Sequence, residues 1–285
     1  MKKKSIFILI INILFVFFLG CAKEEKKVIT VGAEISLKDS LNQIVEQFQQ
    51  SNKNIIVNIE FDASKLLRKQ ASKGTNLDLI ILASKDDMEE LEKAKVITES
   101  KEILENNMIV AGRKKIDKLE EIKGYRVAIG DPEYSPAGVY SIEILKNSQL
   151  FEEIKPDIVL ARDVRSAMQY VDLYEVDYAF IYKTESKVMK NAQIVYEIPN
   201  ELHSPIIYSC GILSGKESEE IKSFYKFLGN GNSREIFLKH GFKVLDPRNK
   251  INVEKMKNKG LLKQNKARKT WWNCRRHLKK KWNAF

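Results

Sequence analysis

Short apolar runs alternate with amphipathic segments along most of the chain, and this alternation predicts successive βα units. The first run, KKVITVGAEIS, leads into LKDSLNQIVEQFQQ, a predicted helix with one apolar face: Leu37, Leu41, Ile44, Val45 and Phe48. The pattern repeats in NIIVNIEFDAS before KLLRKQASKG, LDLIILAS before KDDMEELEKAKV, YRVAIGD before PAGVYSIEILKNS, DIVLARD before VRSAMQYVDLYEV, and DYAFIYKTE before SKVMKN. Continuous apolar strands between such helices are typical of parallel sheets covered on both faces. The predicted class is α/β.

The composition indicates a folded hydrophobic core and argues against nucleic acid as a partner. With 285 residues, 44% of them hydrophobic, the chain is long enough to bury the core of one or two domains. Its formal charge of +11 suggests an anionic partner only if the excess is spread over the folded body. Residues 251–285 hold 12 of the 49 Lys and Arg residues and a single acidic residue, Glu254. The rest of the chain is balanced, so we expect no nucleic-acid-binding groove.

The N-terminal segment predicts export and membrane anchoring. Lys2 to Lys4 precede the apolar stretch SIFILIINILFVFFLG, and Cys21 follows directly. The Leu-Gly-Cys ending resembles a bacterial lipobox, in which the cysteine is lipidated. The alternative is a transmembrane anchor, but 16 residues are short for a span. We therefore predict a signal peptide over residues 1–20, lipidation at Cys21, a tether over 21–27 and an extracytoplasmic location.

The remaining cysteine and histidine residues predict neither a disulfide nor a metal site. Cys210 lies in PIIYSCGIL, which reads as a buried strand, and Cys274 lies in the tail. The three histidines, His203, His240 and His277, have no metal-ligand spacing. We expect no metal cation and no cofactor.

Candidate binding groups lie where predicted strands end and helices begin. Ser36 and Ser64 each follow an apolar run, Pro136 opens a helix after GDPEYS, and Asp163 precedes VRSAM. Ser36, with Asp39 three residues on, approaches the capping-box pattern, and Ser64 is expected to cap in the same way. A cap or a turn explains each residue singly. Together, several helix starts at one crevice offer unpaired N–H groups that can hold an oxyanion without Lys or Arg.

No pattern typical of catalysis accompanies these helix starts. The chain has no G-x-S-x-G turn, no phosphate-binding Walker loop and no histidine beside either serine. Asp131, Asp163 and Tyr182 are the best general-base or nucleophile candidates, and none has a recognisable partner. A cytoplasmic oxyanion-sensing regulator would need a DNA-binding domain and no leader. We expect a binding protein rather than an enzyme or a regulator.

Several segments carry a family resemblance: GAEISLKDSLNQIVEQF, FDASKLLRKQ, LDLIILAS, GDPEYSPAGVY, ARDVRSAM, FIYKTE and KHGF. In this order, over about Val28 to Val244, the chain resembles the substrate-binding proteins of bacterial molybdate ABC transporters, the ModA-type family. The resemblance implies a two-lobed periplasmic-binding-protein fold of type II. Each lobe would hold five strands in a mixed, mostly parallel sheet flanked by helices. We expect lobe 1 over 28–107 and 201–250 and lobe 2 over 108–200, with crossovers near 106–109 and 199–205.

The resemblance also implies a ligand, a site and partners. The family's oxyanion contacts fall on five residues: Ser36, Ser64, Ala137, Val164 and Tyr182. The implied ligand is molybdate or tungstate, held between the lobes of a monomer that serves an ABC permease and its ATPase. A site built only of donors satisfies a deprotonated dianion and rejects a protonated phosphate. Sulfate escapes that filter, so a binding protein for sulfate or another tetrahedral oxyanion is the alternative.

Two residues depart from the family's pattern beside this site. Glu34 stands where small residues are usual, and Lys65 follows Ser64 in place of a Ser-rich stretch. In an extended strand Glu34 lies on the same side as Ser36. A carboxylate there repels a dianion unless Lys65 pairs with it.

The tail, residues 251–285, begins where the family's chain normally ends and has no clean period. A genuine basic extension, with Trp271, Trp272 and Trp282, could lie on an anionic membrane or bind nucleic acid. The other hypothesis is an aberrant frameshift or read-through product. We favour the second, because binding to nucleic acid conflicts with export.

Overall fold

The computed structural model describes residues 26–245 of the chain. The predicted signal peptide, most of the tether with the lipidation site Cys21, and the tail 251–285 lie outside the described residues. Those three assignments stay predictions.

The order of elements follows the predicted alternation of strands and helices. The strands are β1 (Lys27–Glu34), β2 (Ile55–Asp62), β3 (Leu79–Leu82), β4 (Ile97–Asn106), β5 (Met108–Gly112), β6 (Val127–Gly130), β7 (Ile158–Ala161), β8 (Tyr178–Tyr182), β9 (Gln193–Glu197), β10 (Ile206–Leu213) and β11 (Lys243–Val244). The helices are α1 (Lys38–Ser51), α2 (Ser64–Ser72), α3 (Lys85–Lys93), α4 (Pro136–Asn147), α5 (Phe151–Ile154), α6 (Val164–Asp172), α7 (Glu219–Phe227) and α8 (Gly231–Lys239). Short 3-10 helices include Ile35–Leu37 and Lys183–Lys187.

Two sheets form the centres of two lobes. The first sheet has the strand order β11-β4-β10-β3-β1-β2, and the second has the order β7-β6-β8-β5-β9. The chain passes from the first sheet to the second through Asn107, between β4 and β5, and returns between β9 and β10. The predicted α/β class with two lobes and mixed sheets is confirmed.

The strand pairing differs from the expected sheets in two respects. The first sheet has six strands where the resemblance implies five, because Lys243–Val244 adds a short edge strand beside β4. Antiparallel pairs are also as frequent as parallel ones in the second sheet and more frequent in the first. The strands that carry the chain between lobes explain this: β10 returns directly beside β4, with Ile206 opposite Asn106. A chain that leaves and returns at the same edge must run in opposite directions there.

Burial follows the apolar runs. Every residue of β3, β5, β6 and β8 is buried, as expected for strands covered on both faces. Helix α1 buries one face through Leu41, Ile44 and Phe48. The Phe48 ring packs edge-on against Phe224 at 5.0 Å between centroids, which fixes α1 to α7 within the first lobe.

The helix predicted for SKVMKN, residues 186–191, is wrong. A 3-10 helix ends at Lys187, and the following residues form no helix. The carboxylate of Asp172, at the end of α6, accepts N–H bonds from Lys190, Asn191 and Ala192 at 2.7–3.2 Å. These bonds satisfy main-chain donors that a helix would have paired internally.

Within residues 26–245 the structure contains no helix that is long and apolar enough to cross a membrane.

Candidate functional site

The two lobes contact each other through two ion pairs. Arg162 of lobe 2 donates from Nη2 to both carboxylate oxygens of Asp62 in lobe 1, at 2.8 and 2.9 Å. Arg165 donates to Asp39 of lobe 1 at 2.7 Å and also contacts Glu185 of its own lobe. The cleft between the lobes is therefore closed, and the residues between them are buried.

Ser36 lies in the 3-10 helix that joins β1 to α1, and it does not cap α1. The N-cap position belongs to Leu37, and no side chain bonds there, so the capping prediction for Ser36 is wrong. Its Oγ lies 2.8 Å from the hydroxyl of Tyr208 on β10 and 3.3 Å from Oε2 of Glu34, to which it donates. The hydroxyl of Ser36 points into the cleft interior rather than along its own helix.

Ser64 also does not cap its helix. It is the first residue of α2, and Ala63 occupies the N-cap position without a side-chain bond. The Ser64 Oγ accepts the N–H of Ala83, at the end of β3, at 2.9 Å. Ser64 is fully buried, and its own O–H proton is still available for a further acceptor.

Ala137 lies in the first turn of α4, where the predicted Pro136 start is confirmed. The next residue, Gly138, packs against the turn after β6: a Cβ added to it would lie 1.8 Å from the Gly130 carbonyl oxygen. The small size of Gly138 therefore has a packing cause. The N–H of Ala137 precedes the first intrahelical bond and has no helical partner.

Val164 begins α6, and the predicted start at Asp163 is confirmed. The carboxylate of Asp163 caps the helix by accepting the N–H of Ser166 at 2.7 Å. Helix α6 packs against the 3-10 helix Ile35–Leu37, and Arg165 in its first turn pairs with Asp39, which follows that 3-10 helix. Val164 is fully buried.

Tyr182 ends β8 and is fully buried. Its ring packs against that of Tyr208 with centroids 6.1 Å apart. Its hydroxyl has no hydrogen-bond partner within the protein. Burial, followed by the neighbouring Tyr208 and Glu34, raises the pKa of Tyr182 well above its usual range, so the phenol keeps its proton. An orphaned buried hydroxyl is rare in native proteins and indicates a missing partner.

The structure links the predicted residues through two shared neighbours. Tyr208 contacts both Ser36 and the ring of Tyr182. Ala83 bonds to Ser64 through its N–H, and its carbonyl oxygen lies 3.4 Å from the hydroxyl of Tyr140, one helical turn after Ala137. Their role in holding a ligand stays a prediction.

Sequence reasoning missed two tyrosines that organise this interior. Tyr208 holds Ser36 and also accepts from Asn106 Nδ2 at 3.2 Å, and Tyr140 bridges the lobes through Ala83. The signal for Tyr208 was available, because a phenol within the apolar run PIIYSCGIL needs a partner when buried. The partner lies 172 positions away and cannot be read from the sequence.

Glu34 contacts Ser36 in this interior and is fully buried. Burial raises the pKa of Glu34 well above its usual range, and the nearby Glu185 and Asp163 add to the effect. The Lys65 Nζ donates to the carbonyl of Pro132 at 2.6 Å, and Oε1 of Glu34 has no hydrogen-bond partner.

Glu185 is the second buried acid in the cleft. Burial raises its pKa to about 7, although the guanidinium of Arg165 acts in the opposite direction. Arg165 is bound between Glu185 and Asp39, which leaves its charge committed to carboxylates. Any anion between the lobes therefore meets hydroxyl and main-chain donors, together with an acid-rich wall.

The described residues contain no arrangement typical of a metal site or of a nucleophile with its base. No group of three or more His, Cys, Asp and Glu residues within 26–245 could hold a metal ion. Asp131 accepts the N–H of Glu133 at 2.8 Å, and Asp163 caps α6, so two of the three catalytic candidates have structural roles. Cys210 is a free, buried residue of β10, and burial raises the pKa of its thiol to about 12.

Comparisons with known proteins place these features in context. The family model described as bacterial extracellular solute-binding protein matches residues 29–243. YvgL of Bacillus subtilis, named as an ABC transporter substrate-binding lipoprotein, is 31% identical over 85% of this chain and 98% of its own. The molybdate-binding protein ModA of Haemophilus influenzae is 27% identical over 75% of this chain and 89% of its own.

One solved structure extends the comparison to the fold. The periplasmic molybdate-binding protein of Azotobacter vinelandii superposes with a TM-score of 0.68 at 17% identity, covering 76% of this chain and 100% of the other. At that identity the likeness concerns the fold alone.

Proposed function

The chain belongs to the bacterial extracellular solute-binding proteins, within the ModA type, and on this premise we propose that it captures molybdate or tungstate for an ABC importer. The anion lies between the lobes, and the closed protein delivers it to a membrane permease driven by an ATPase. Binding is the whole task, since no bond is made or broken. The protein acts as a monomer, anchored outside the cytoplasm by lipid at Cys21, and it binds neither a cofactor nor nucleic acid.

The observation that carries this proposal is the orphaned hydroxyl of Tyr182. It is fully buried between the lobes, keeps its proton and has no protein acceptor. An oxyanion oxygen is the acceptor that such a donor needs.

The donors around Tyr182 suit a tetrahedral oxyanion. The main-chain N–H groups of Ala137 and Val164 lie in the first turns of α4 and α6, where they have no helical partner and where the helix dipole favours negative charge. Ser36 and Ser64 contribute hydroxyl groups from lobe 1, while the other three residues belong to lobe 2. A ligand that bonds to both sides stabilises the closed form over the open one.

Calorimetric titration with molybdate, tungstate, sulfate and phosphate tests the ligand class. We expect molybdate and tungstate to bind, with the radius of gyration falling as the lobes close. Binding of sulfate alone would defeat the molybdate assignment in favour of the alternative ligand. An unchanged scattering profile on saturation would count against closure.

A pair of tyrosine variants separates ligand contact from structural support. Tyr182→Phe should lower molybdate affinity at least about tenfold, since a hydrogen bond to a charged group contributes about 1.5–3 kcal/mol. It should leave the unfolding midpoint unchanged, because its hydroxyl bonds to no protein atom. Tyr208→Phe is the matched control: it should lower the midpoint, because Ser36 and Asn106 both lose a partner. Unchanged affinity in Tyr182→Phe would remove Tyr182 from the site.

A further inference from the structure

Glu34 is a buried carboxyl group with an unused acceptor. It ends β1 and is fully buried. Its Oε2 accepts the Ser36 hydroxyl at a long 3.3 Å, and its Oε1 has no hydrogen-bond partner at all. An unsatisfied oxygen of this kind destabilises a fold unless another group bonds to it.

The groups that face Glu34 come from five other elements, and most of them are acidic or phenolic. Asp163 approaches from the start of α6 and Glu185 from the 3-10 helix after β8. The phenols are Tyr140 of α4, Tyr182 of β8 and Tyr208 of β10. Arg165, which contacts Glu185, is also bound to Asp39.

The neighbouring strand of lobe 1 adds another acidic residue. Asp62 lies opposite Glu34 in the register of β1 and β2, and it pairs with Arg162. Lys65 donates to Pro132 of lobe 2. Arg162 and Arg165 both bond to carboxylates other than that of Glu34.

We propose that Glu34 is a specificity-determining residue of the anion site, and that the complex holds one proton between its carboxyl group and an oxygen of the bound tetrahedral anion. This inference rests on the proposed function and concerns the class of anion accepted. The shared proton forms an O–H···O hydrogen bond to the unpartnered side of Glu34.

The shared proton comes either from solvent or from the ligand, and both routes give the same hydrogen-bonded complex. With a fully deprotonated dianion such as molybdate, Glu34 takes a proton from solvent and its O–H donates to the anion. With hydrogen phosphate, the ligand brings the O–H and the Glu34 carboxylate accepts it. The rejection of protonated anions that a donor-only site imposes is therefore removed, and anions of the hydrogen phosphate class can bind as well.

The pH dependence of binding tests this inference, with dissociation constants measured for molybdate and for inorganic phosphate between about pH 6 and about pH 9. On the alkaline side of the Glu34 titration, molybdate affinity should fall about tenfold per pH unit, because each complex must take up one proton. Phosphate affinity should stay level there, because the ligand supplies the proton. Glu34→Gln should show a level molybdate profile.

Two further variants control for the change of charge and for folding. Glu60→Gln removes an exposed carboxylate from β2 and should leave the molybdate profile as in the wild type. Glu34→Ala removes the acceptor and should lower phosphate affinity at least about tenfold relative to molybdate. Thermal unfolding checks that each variant is folded. If only one of the two Glu34 variants folds, that variant is enough for the test.

The outcomes distinguish failure of the shared-proton proposal from failure of the proposed function. Parallel molybdate profiles in the wild type and the Glu34 variants would overturn the shared proton while leaving the proposed function standing. Failure of the wild type to bind any of the tetrahedral anions would overturn the proposed function and this inference together.

Discussion

Gly138→Ala is expected to destabilise the protein because α4 begins against the backbone of the preceding turn. The added Cβ would lie 1.8 Å from the Gly130 carbonyl oxygen, 2.6 Å from its carbonyl carbon and 2.8 Å from the Pro132 nitrogen. Cβ contacts below 3.0 Å essentially never occur, so the helix start and the turn must separate by more than 1 Å. All three obstructing atoms belong to the main chain, and no change of side-chain rotamer relieves the overlap.

The expected loss is about 3 kcal/mol, the upper end of the range for overpacked positions. Urea unfolding followed by circular dichroism measures it, provided that the slope against urea is unchanged. Gly231→Ala is the matched control, since Gly231 starts α8 and a Cβ there meets no atom within 4 Å. That variant should be neutral or up to about 1 kcal/mol more stable. Equal midpoints for the two variants would refute the close approach of α4 to Gly130.

Two further predictions concern charges in the cleft. At about pH 8, where Glu185 is ionised, Arg165→Met should cost about 3–5 kcal/mol of unfolding free energy, because it leaves the buried Glu185 carboxylate without its partner. Arg162→Met should cost less than about 1 kcal/mol, because the Arg162 side chain is 66% exposed. Equal losses in urea unfolding would contradict this. Burial raises the pKa of Glu185 from 4.5 to about 7, so the folded protein holds a proton that the unfolded chain has released. The unfolding free energy of the wild type should therefore fall relative to Glu185→Gln between about pH 5 and about pH 8, and a constant difference would exclude the shift.

The features that sequence predicted correctly depend on neighbours in the chain. Pro136 starts α4 because its fixed φ and missing N–H suit a first turn, and Asp163 caps α6 through Ser166, three residues away. The order of strands and helices follows from continuous apolar runs, which need burial on both faces whatever their partners.

The features that sequence reasoning missed depend on partners far along the chain. Ser36 and Ser64 have the residue type and position of caps, yet the Oγ of Ser36 bonds to the Tyr208 hydroxyl and the Oγ of Ser64 accepts the N–H of Ala83. Asp172 likewise bonds to the N–H groups of residues 190 and 191, from 18 and 19 positions away, and these residues leave the predicted helix. A short sequence pattern indicates which hydrogen bonds a side chain is able to make, but the tertiary structure determines which partner lies next to it.

Glu34 shows how magnitudes decide between two states of the candidate site. An ionised carboxylate about 4 Å from a dianion is repelled by about 8 kcal/mol at an effective dielectric constant of about 20. Keeping a carboxyl group of ordinary pKa 4.5 protonated at about pH 7 costs only about 3 kcal/mol. The protonated form of Glu34 therefore has the lower free energy whenever a dianion lies beside it. In that state Glu34 has an O–H group that can donate to the anion instead of a charge that repels it. Because the protonation of Glu34 depends on pH, we expect anion binding in the cleft to depend on pH as well.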